Sequence, residues 1–204
     1  VNESIARTEA LALMQEREAR PVHVQHVARL ALTLFDQLAE LHGLGPRERT
    51  LLEMAGYLHD VGHRSAPGGK GHHKESARVI REHGWKGITP AEAEIVAQVA
   101  RYHRKEMPEL SHDEFRALSV IDRQHVQKLG ALLRLGDALD RTHEQLITAI
   151  RVELPVNRIV LHVDINGPVL YELQAARVKA DLAEAVFQRD VVFMVDDEEL
   201  MPRQ

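Results

Sequence analysis

The 204-residue sequence contains no cysteine, which removes both a disulfide framework and any metal site built on thiolates. Aromatic residues are scarce, with one Trp, three Tyr and four Phe, so aliphatic side chains must fill the interior. Long apolar runs are also missing. None approaches the roughly 18–20 residues needed to cross a bilayer, and the first residues lack the basic-then-apolar pattern of an export signal. The expectation is a soluble, cytoplasmic protein with no membrane partner. A net charge of −5 argues against a general nucleic-acid binder and leaves room only for a local basic surface. What the chain has in excess is histidine, 13 residues against those eight aromatics, which directs attention to metal chemistry.

Apolar residues recur at helical spacing from about residue 5 to residue 145. Over 22–42, Val27, Leu30, Ala31, Leu34, Leu38 and Leu41 form one stripe and Gly43 follows as a stop. Pro46 opens the next helix, which Leu52, Ala55 and Leu58 carry into "HDVGH", where Gly62 is expected to end it. The stretch 62–72, "GHRSAPGGKGH", reads as a loop. Its glycines lack the spacing and the Gly-Lys-Ser/Thr of a P-loop. Helix resumes near His73 and stops at Gly84, and "TPAE" at 89–92 has the form of a capping box opening a helix to about Lys105. A short helix near 111–119 and a long one over 122–143 follow. The pattern then changes: "AIRVELP" and "RIVLHVDI" read as hairpin strands, 172–188 as a helix and "DVVFMV" as a third strand. The expected fold class is mainly α, with a helical body over 1–145 and a small C-terminal α+β (ββαβ) subdomain over 146–204.

Residues three and four apart share a helix face. By that rule His26 stands at the head of the stripe through Leu30 and Leu34, His59 follows Ala55 and Leu52, His103 follows Val99 and Val96, and Asp137 follows Leu133 and Leu129. Four helices thus aim a ligand-type side chain inward. The histidines at 23, 42, 83, 112, 125, 143 and 162 show no consistent facing and read as structural or exposed. Any single inward histidine is readily explained as a hydrogen-bonded core residue. A buried carboxylate without a partner, however, costs several kcal/mol, so Asp60 and Asp137 need compensation, and a divalent cation would supply it. Around these residues Arg64, Lys70 and Lys74 lie between 61 and 74 without an acidic neighbour, and Arg101, Arg104 and Lys105 flank His103. That suits an anionic, phosphorylated ligand, although Arg64 and Lys70 read equally as surface charge.

The order His26, His59-Asp60, Asp137 resembles the HD superfamily of metal-dependent phosphohydrolases, whose signature is a histidine, an adjacent His-Asp pair and a distant aspartate. His73 in "HHKESARVI" and His103 in "RYHRK" are similar to two further histidines of its two-metal branch, which includes the HD-GYP proteins. "SIARTEALA", "VARLALTLFDQL", "LLEMAGYLHDVGH", "HHKESARVI", "VARYHRK" and "LLRLGDALDRT" resemble, closer still, successive motifs of the C-terminal helical domain of the exopolyphosphatase and guanosine-pentaphosphate phosphatase (Ppx/GppA) family. The resemblance extends from about residue 4 to 145, and more loosely through the tail. The actin-like domains that carry the phosphatase site in full-length members have no counterpart in this sequence, so polyphosphatase activity does not come with it.

The resemblance implies an HD-domain helical bundle in which His26, His59, Asp60 and Asp137 hold one metal, and Asp60, His73 and His103 a second, with Asp60 bridging. His72 is an alternative to His73, which the wording "HKESA" favours. Nitrogen and oxygen donors suit Mn, Fe, Co, Ni or Zn better than Mg. Two such ions activate water for in-line hydrolysis without a protein nucleophile. Asp60 and His63 are the expected catalytic residues, His63 standing where relatives often have a lysine, with a solvated loop histidine as its plainer reading. Arg64, Lys70, Arg104, Lys105 and Arg141 are the expected substrate contacts. Arg134 and Arg141, which bracket Asp137, are phosphate contacts or supports of the ligands. The expected function is a metal-dependent phosphohydrolase acting on a nucleotide or other small phosphoester. The alternative is a regulatory module that binds nucleotide or polyphosphate and acts with an exopolyphosphatase-type partner. A homodimer is compatible with either.

Overall fold

The computed structural model describes residues 2–104, 106–196 and 198–200; Lys105, one of the expected substrate contacts, lies outside them. Among the described residues eight α-helices make the body: α1 (Glu3–Arg17), α2 (Pro21–Gln37), α3 (Ala39–His42), α4 (Pro46–Leu58), α5 (His72–Glu82), α6 (Pro90–Arg101), α7 (Asp113–Arg116) and α8 (Val120–Ala138). Helix α2 packs on both α4 and α8, and α6 packs on α4, α5 and α8. Small residues permit the close crossings. A Cβ on Gly56 of α4 would lie 2.7 Å from the Cβ of Ala28 on α2, and one on Gly136 of α8 would lie 3.1 Å from the Val27 carbonyl oxygen. No helix among the described residues is long and apolar enough to cross a membrane.

The stripe over 22–42 is interrupted at Leu38, where α2 ends and the single turn α3 begins. The buried His42 ring donates to the Phe35 carbonyl at 2.7 Å, satisfying an oxygen in the last turn of α2, and accepts from Leu44 N–H at 2.9 Å. The capping box at 89–92 forms as its spacing predicts. Thr89 accepts from Glu92 N–H, Glu92 accepts from Thr89 N–H at 2.8 Å, and Pro90 occupies the first turn. Thr89→Ala should cost about 1 kcal/mol, read as a lower denaturation midpoint at unchanged slope.

The C-terminal unit begins with the antiparallel pair β1 (Ile147–Glu153) and β2 (Arg158–Ile165). Helices α9 (Leu170–Lys179) and α10 (Asp181–Phe187) then carry the chain back to β3 (Asp190–Val195), parallel to β2, and β4 (Glu198–Leu200) adds an antiparallel edge. Two features go beyond ββαβ: the fourth strand, and the division of the 172–188 helix at Ala180, where Asp181 turns its carboxylate back onto Leu182 N–H at 2.7 Å. Alternate residues Ile159, Leu161 and Val163 of β2, with Val191, Phe193 and Val195 of β3, are buried and join the same core as the helices. The outer edge of β1 is covered by α2: Gln37 donates to the Ile150 carbonyl and accepts from Val152 N–H, both at 2.8 Å. A side chain thus caps backbone groups that would otherwise recruit another strand.

Candidate metal centre

The regular turns of α4 end at Leu58, and His59 and Asp60 lie in the irregular turn that follows. Neighbours on a regular helix diverge by about 100°, so leaving the helix is what lets both face one hollow. Gly62 does not end the helix, which stops four residues earlier. Its role is close approach: a Cβ there would lie 2.4 Å from both the His72 carbonyl oxygen and Ser76 N, and its own N–H donates to Ser76 Oγ at 2.9 Å. The start of α5 is thereby pressed against the His-Asp turn. The other contributors also stand at helix ends. His23 is in the first turn of α2, His72 opens α5, His103 follows α6, and Asp137 is in the last turn of α8.

Asp60 is the hub. Its Oδ1 lies 3.2 Å from His72 Nε2, 3.6 Å from His103 Nε2 and 3.7 Å from His63 Nε2. Its Oδ2 lies 3.9 Å from His59 Nε2 and accepts from Arg20 at 3.1 Å. Asp137 Oδ1 is 3.6 Å from both His23 Nε2 and His59 Nε2. Two groups of three therefore have ligand atoms all within 4.8 Å of one another, as one ion requires: His23, His59 and Asp60, and Asp60, His72 and His103. Both groups are buried and share only Asp60.

The imidazoles are oriented for this. His59 Nδ1 donates to the Gly56 carbonyl at 2.8 Å, His72 Nδ1 to Gly69 at 2.9 Å, and His103 Nδ1 to Ala100 at 2.6 Å. Arg104 also approaches His72 Nδ1, at 3.3 Å, but only the carbonyl can accept, so the carbonyl sets the tautomer. His23 Nδ1 donates to Asp140 at 2.8 Å. With its outer nitrogen so committed, each ring turns Nε2 to the hollow, the arrangement in which an outer oxygen fixes a metal-binding histidine. His59 Nε2 is buried with no hydrogen-bond partner. An orphaned acceptor between two carboxylates fits a cation, and the donor set is the nitrogen-oxygen kind suited to transition metals.

Electrostatics agree. Burial opposes ionisation of Asp60 and Asp137, but the facing histidines outweigh it and hold both carboxyls well below the usual range. Burial pushes His23 down, yet Asp137 and Asp140 prevail and lift it to about 9. A proton and a metal ion compete for its Nε2 lone pair. His103, enclosed and beside His59, is pushed down to about 3 and stays neutral. The floor opens into a hollow of about 230 Å³ whose walls include Arg20, Arg104, Arg141, His63 and His143.

Of the expected residues, the fold brings together His59, Asp60, His103 and Asp137, with His63, Arg104 and Arg141 on the walls. Two expected ligands stand aside. His26 is displaced by His23, one turn earlier on α2; its Nδ1 accepts from Arg29 at 3.1 Å instead. His73 is displaced by His72, because the approach of Gly62 seats the first residue of α5 beside Asp60. His73 lines a neighbouring hollow with Gly68, Gly69, Lys70, Gly71 and Arg104, where burial lowers it to about 4. Lys70 thus faces that second hollow and not the Asp60 floor. Arg64 points away altogether, donating to the Glu16 carbonyl at 2.9 Å. Arg134 is no phosphate contact: 1% exposed, it holds the carbonyls of Tyr102 and Arg104 and the Asp181 carboxylate.

Four residues were not foreseen here: His23, Asp140, His143 and Arg20. His23 reads as structural or exposed in the sequence, although it is four before Val27 and seven before Leu30, as inward a position as that of His26. Asp140 is three after Asp137 and Arg20 three before His23, spacing that puts each on its neighbour's face. His143 lies stacked on His23, ring centroids 3.8 Å apart, in a left-handed turn that helix spacing could not anticipate.

No curated protein matches the sequence. A family model does, that of the Ppx/GppA phosphatase domain III, over residues 6–184, which runs from the first turn of α1 through the hairpin and α9 into α10. The chain belongs to the Ppx/GppA phosphatase family as a domain III, and its role is phosphatase-related.

Proposed function

We propose that the chain is a metal-dependent phosphohydrolase of the HD type with a dinuclear centre. The observation that carries the reading is the convergence of the Nε2 atoms of the buried His23, His59, His72 and His103 on the buried Asp60 and the partly exposed Asp137. The order histidine, His-Asp, histidine, histidine, aspartate keeps that of the HD superfamily, with His23 and His72 in place of His26 and His73. His23, His59, Asp60 and Asp137 would hold one ion, and Asp60, His72 and His103 the other. When bound, such a pair supplies Lewis acidity that activates water and neutralises phosphoryl charge.

The chain's own side chains do the rest. Arg20, Arg104 and Arg141 ring the mouth of the hollow, and guanidinium forks bind phosphoryl oxygens in pairs. That selects a small phosphorylated substrate, a nucleotide or related phosphoester. His63 is stacked on His72, with ring centroids 3.7 Å apart, and its side chain is one-third exposed. It stands between floor and solvent, in reach of a leaving oxygen. Burial pushes it down, so at neutral pH the ring is uncharged and would act as a base, taking up a proton before it could hand one to a leaving oxygen.

Protein stripped by a chelator and reloaded with Mn²⁺ should take up two equivalents by elemental analysis. It should then release orthophosphate or nucleoside from a panel of nucleotides and small phosphoesters. Full loading with no turnover on any member would overturn the enzymatic reading and leave a binding module.

A further inference from the structure

The two turns that flank the hollow are both held by one helix of the C-terminal unit. At one end of α9, Glu172, only 1% exposed, accepts from Thr142 N–H at 3.0 Å and from Thr142 Oγ at 2.6 Å. Thr142 sits between Arg141 and His143, which line the hollow. At the other end, Lys179 Nζ donates to the carbonyl of His103 itself. One residue beyond the intervening Ala180, Asp181 receives the Arg134 guanidinium at 2.8 and 2.9 Å, and that same guanidinium grips the carbonyls of Tyr102 and Arg104, on either side of His103. Glu172 and Lys179 are seven residues apart, hence on one face and about 10 Å apart along the axis.

We infer that α9 and the first residue of α10 form a brace across the hollow, with Glu172, Lys179 and Asp181 as positioning residues for the Arg141–His143 and His103–Arg104 turns. The proposal rests on the metal reading only in treating His103 as a ligand; the contacts themselves do not depend on it. Both turns lie outside regular helix and carry side chains whose placement has to be held within a fraction of an ångström for metal or phosphate binding. Loops have little rigidity of their own. A carbonyl-directed lysine and a buried arginine supply it to one turn, and a buried carboxylate to the other.

The test uses the full chain without metal and reads amide hydrogen exchange turn by turn. Lys179→Met should speed exchange across 102–104 about tenfold and leave 140–145 unchanged. Glu172→Met should do the converse. Lys179→Arg and Glu172→Gln, which keep a donor and an acceptor, should restore protection. Asp181→Asn, at a side chain 40% exposed, is the milder variant should Lys179→Met fail to fold, and should act on the 102–104 turn alone. Equal acceleration of both turns by each variant, or no change in either, would overturn the brace. In a parallel Mn²⁺ titration Lys179→Met should weaken one of two ions by about 10- to 100-fold and spare the other. Wild-type protein that takes up fewer than two ions would sink the dinuclear reading, while the exchange pattern would still judge the brace.

Discussion

If the proposed dinuclear centre is right, Asp60→Asn should remove both metal ions together and lower turnover by roughly 10³-fold or more, because residues that act as a unit fail as a unit. Asn is nearly the same size, so packing around a side chain only 7% exposed is preserved and the charge alone is lost. Asp60 is the one residue common to both ligand groups, and its two oxygens divide the work: Oδ1 faces His72, His103 and His63, and Oδ2 faces His59 and Arg20. A change at His103 would touch one group only. Metal content by elemental analysis and phosphate release together check the prediction. Retention of one full equivalent would contradict the shared role. The stability of the metal-free protein carries a second signature. Burial disfavours the Asp60 carboxylate, but His59, His72 and His103 outweigh it and depress its folded pKa. A depressed carboxyl contributes stability that is present above its ordinary value near 4 and is lost as pH falls toward the folded one. Wild type should therefore exceed Asp60→Asn at neutral pH, and the two should converge in acid.

The helical body was legible from periodicity because its stripes are aliphatic and long, and the cap at Thr89 because its chemistry is local. Metal-type residues were legible as a set: His59, His103 and Asp137 each stand at a helical interval from apolar neighbours, and Asp60 adjoins His59. Which member of a close pair faces the hollow was not. His23 and His26 both lie on the inner half of α2, and the choice is made by where Asp137, in the last turn of α8, and Asp140, in the turn beyond it, arrive, contacts more than 110 residues distant in sequence. His72 and His73 are adjacent, and the choice is made by the approach of Gly62 to α5. The basic residues divide by the same logic. Arg141 and Arg104 reach the hollow because their turns fold over it, whereas Arg64 is taken by a carbonyl of α1. Arg134 shows the limit of charge reading: nothing in its neighbours along the chain reveals that its guanidinium will be spent on the carbonyls of Tyr102, Arg104 and Glu106 and on Asp181.

Gly62→Ala should be strongly damaging although it adds a single methyl group. The added Cβ would fall 2.4 Å from two backbone atoms of α5, the His72 carbonyl oxygen and Ser76 N, and 2.8 Å from a third, the Glu75 carbonyl carbon. Backbone cannot rotate out of the way as a flexible side chain can, so α5 or the His-Asp turn must shift. Overpacking of this kind costs about 3 kcal/mol or more, which for a chain of this length lowers Tm by about 6–12 °C. The same shift would carry His72 Nε2 away from Asp60 and break the hydrogen bond from Gly62 N–H to Ser76 Oγ, so the ion proposed for Asp60, His72 and His103 should be lost even in the fraction that stays folded. Gly43→Ala is the control that separates close approach from backbone strain. Gly43 has φ +62° and nothing within 4 Å of its would-be Cβ, so its replacement should cost only about 1–2 kcal/mol and leave metal uptake intact. If Gly62→Ala melted within about 1 °C of wild type and bound both ions, the view that α5 is pressed against the His-Asp turn to seat His72 would be wrong.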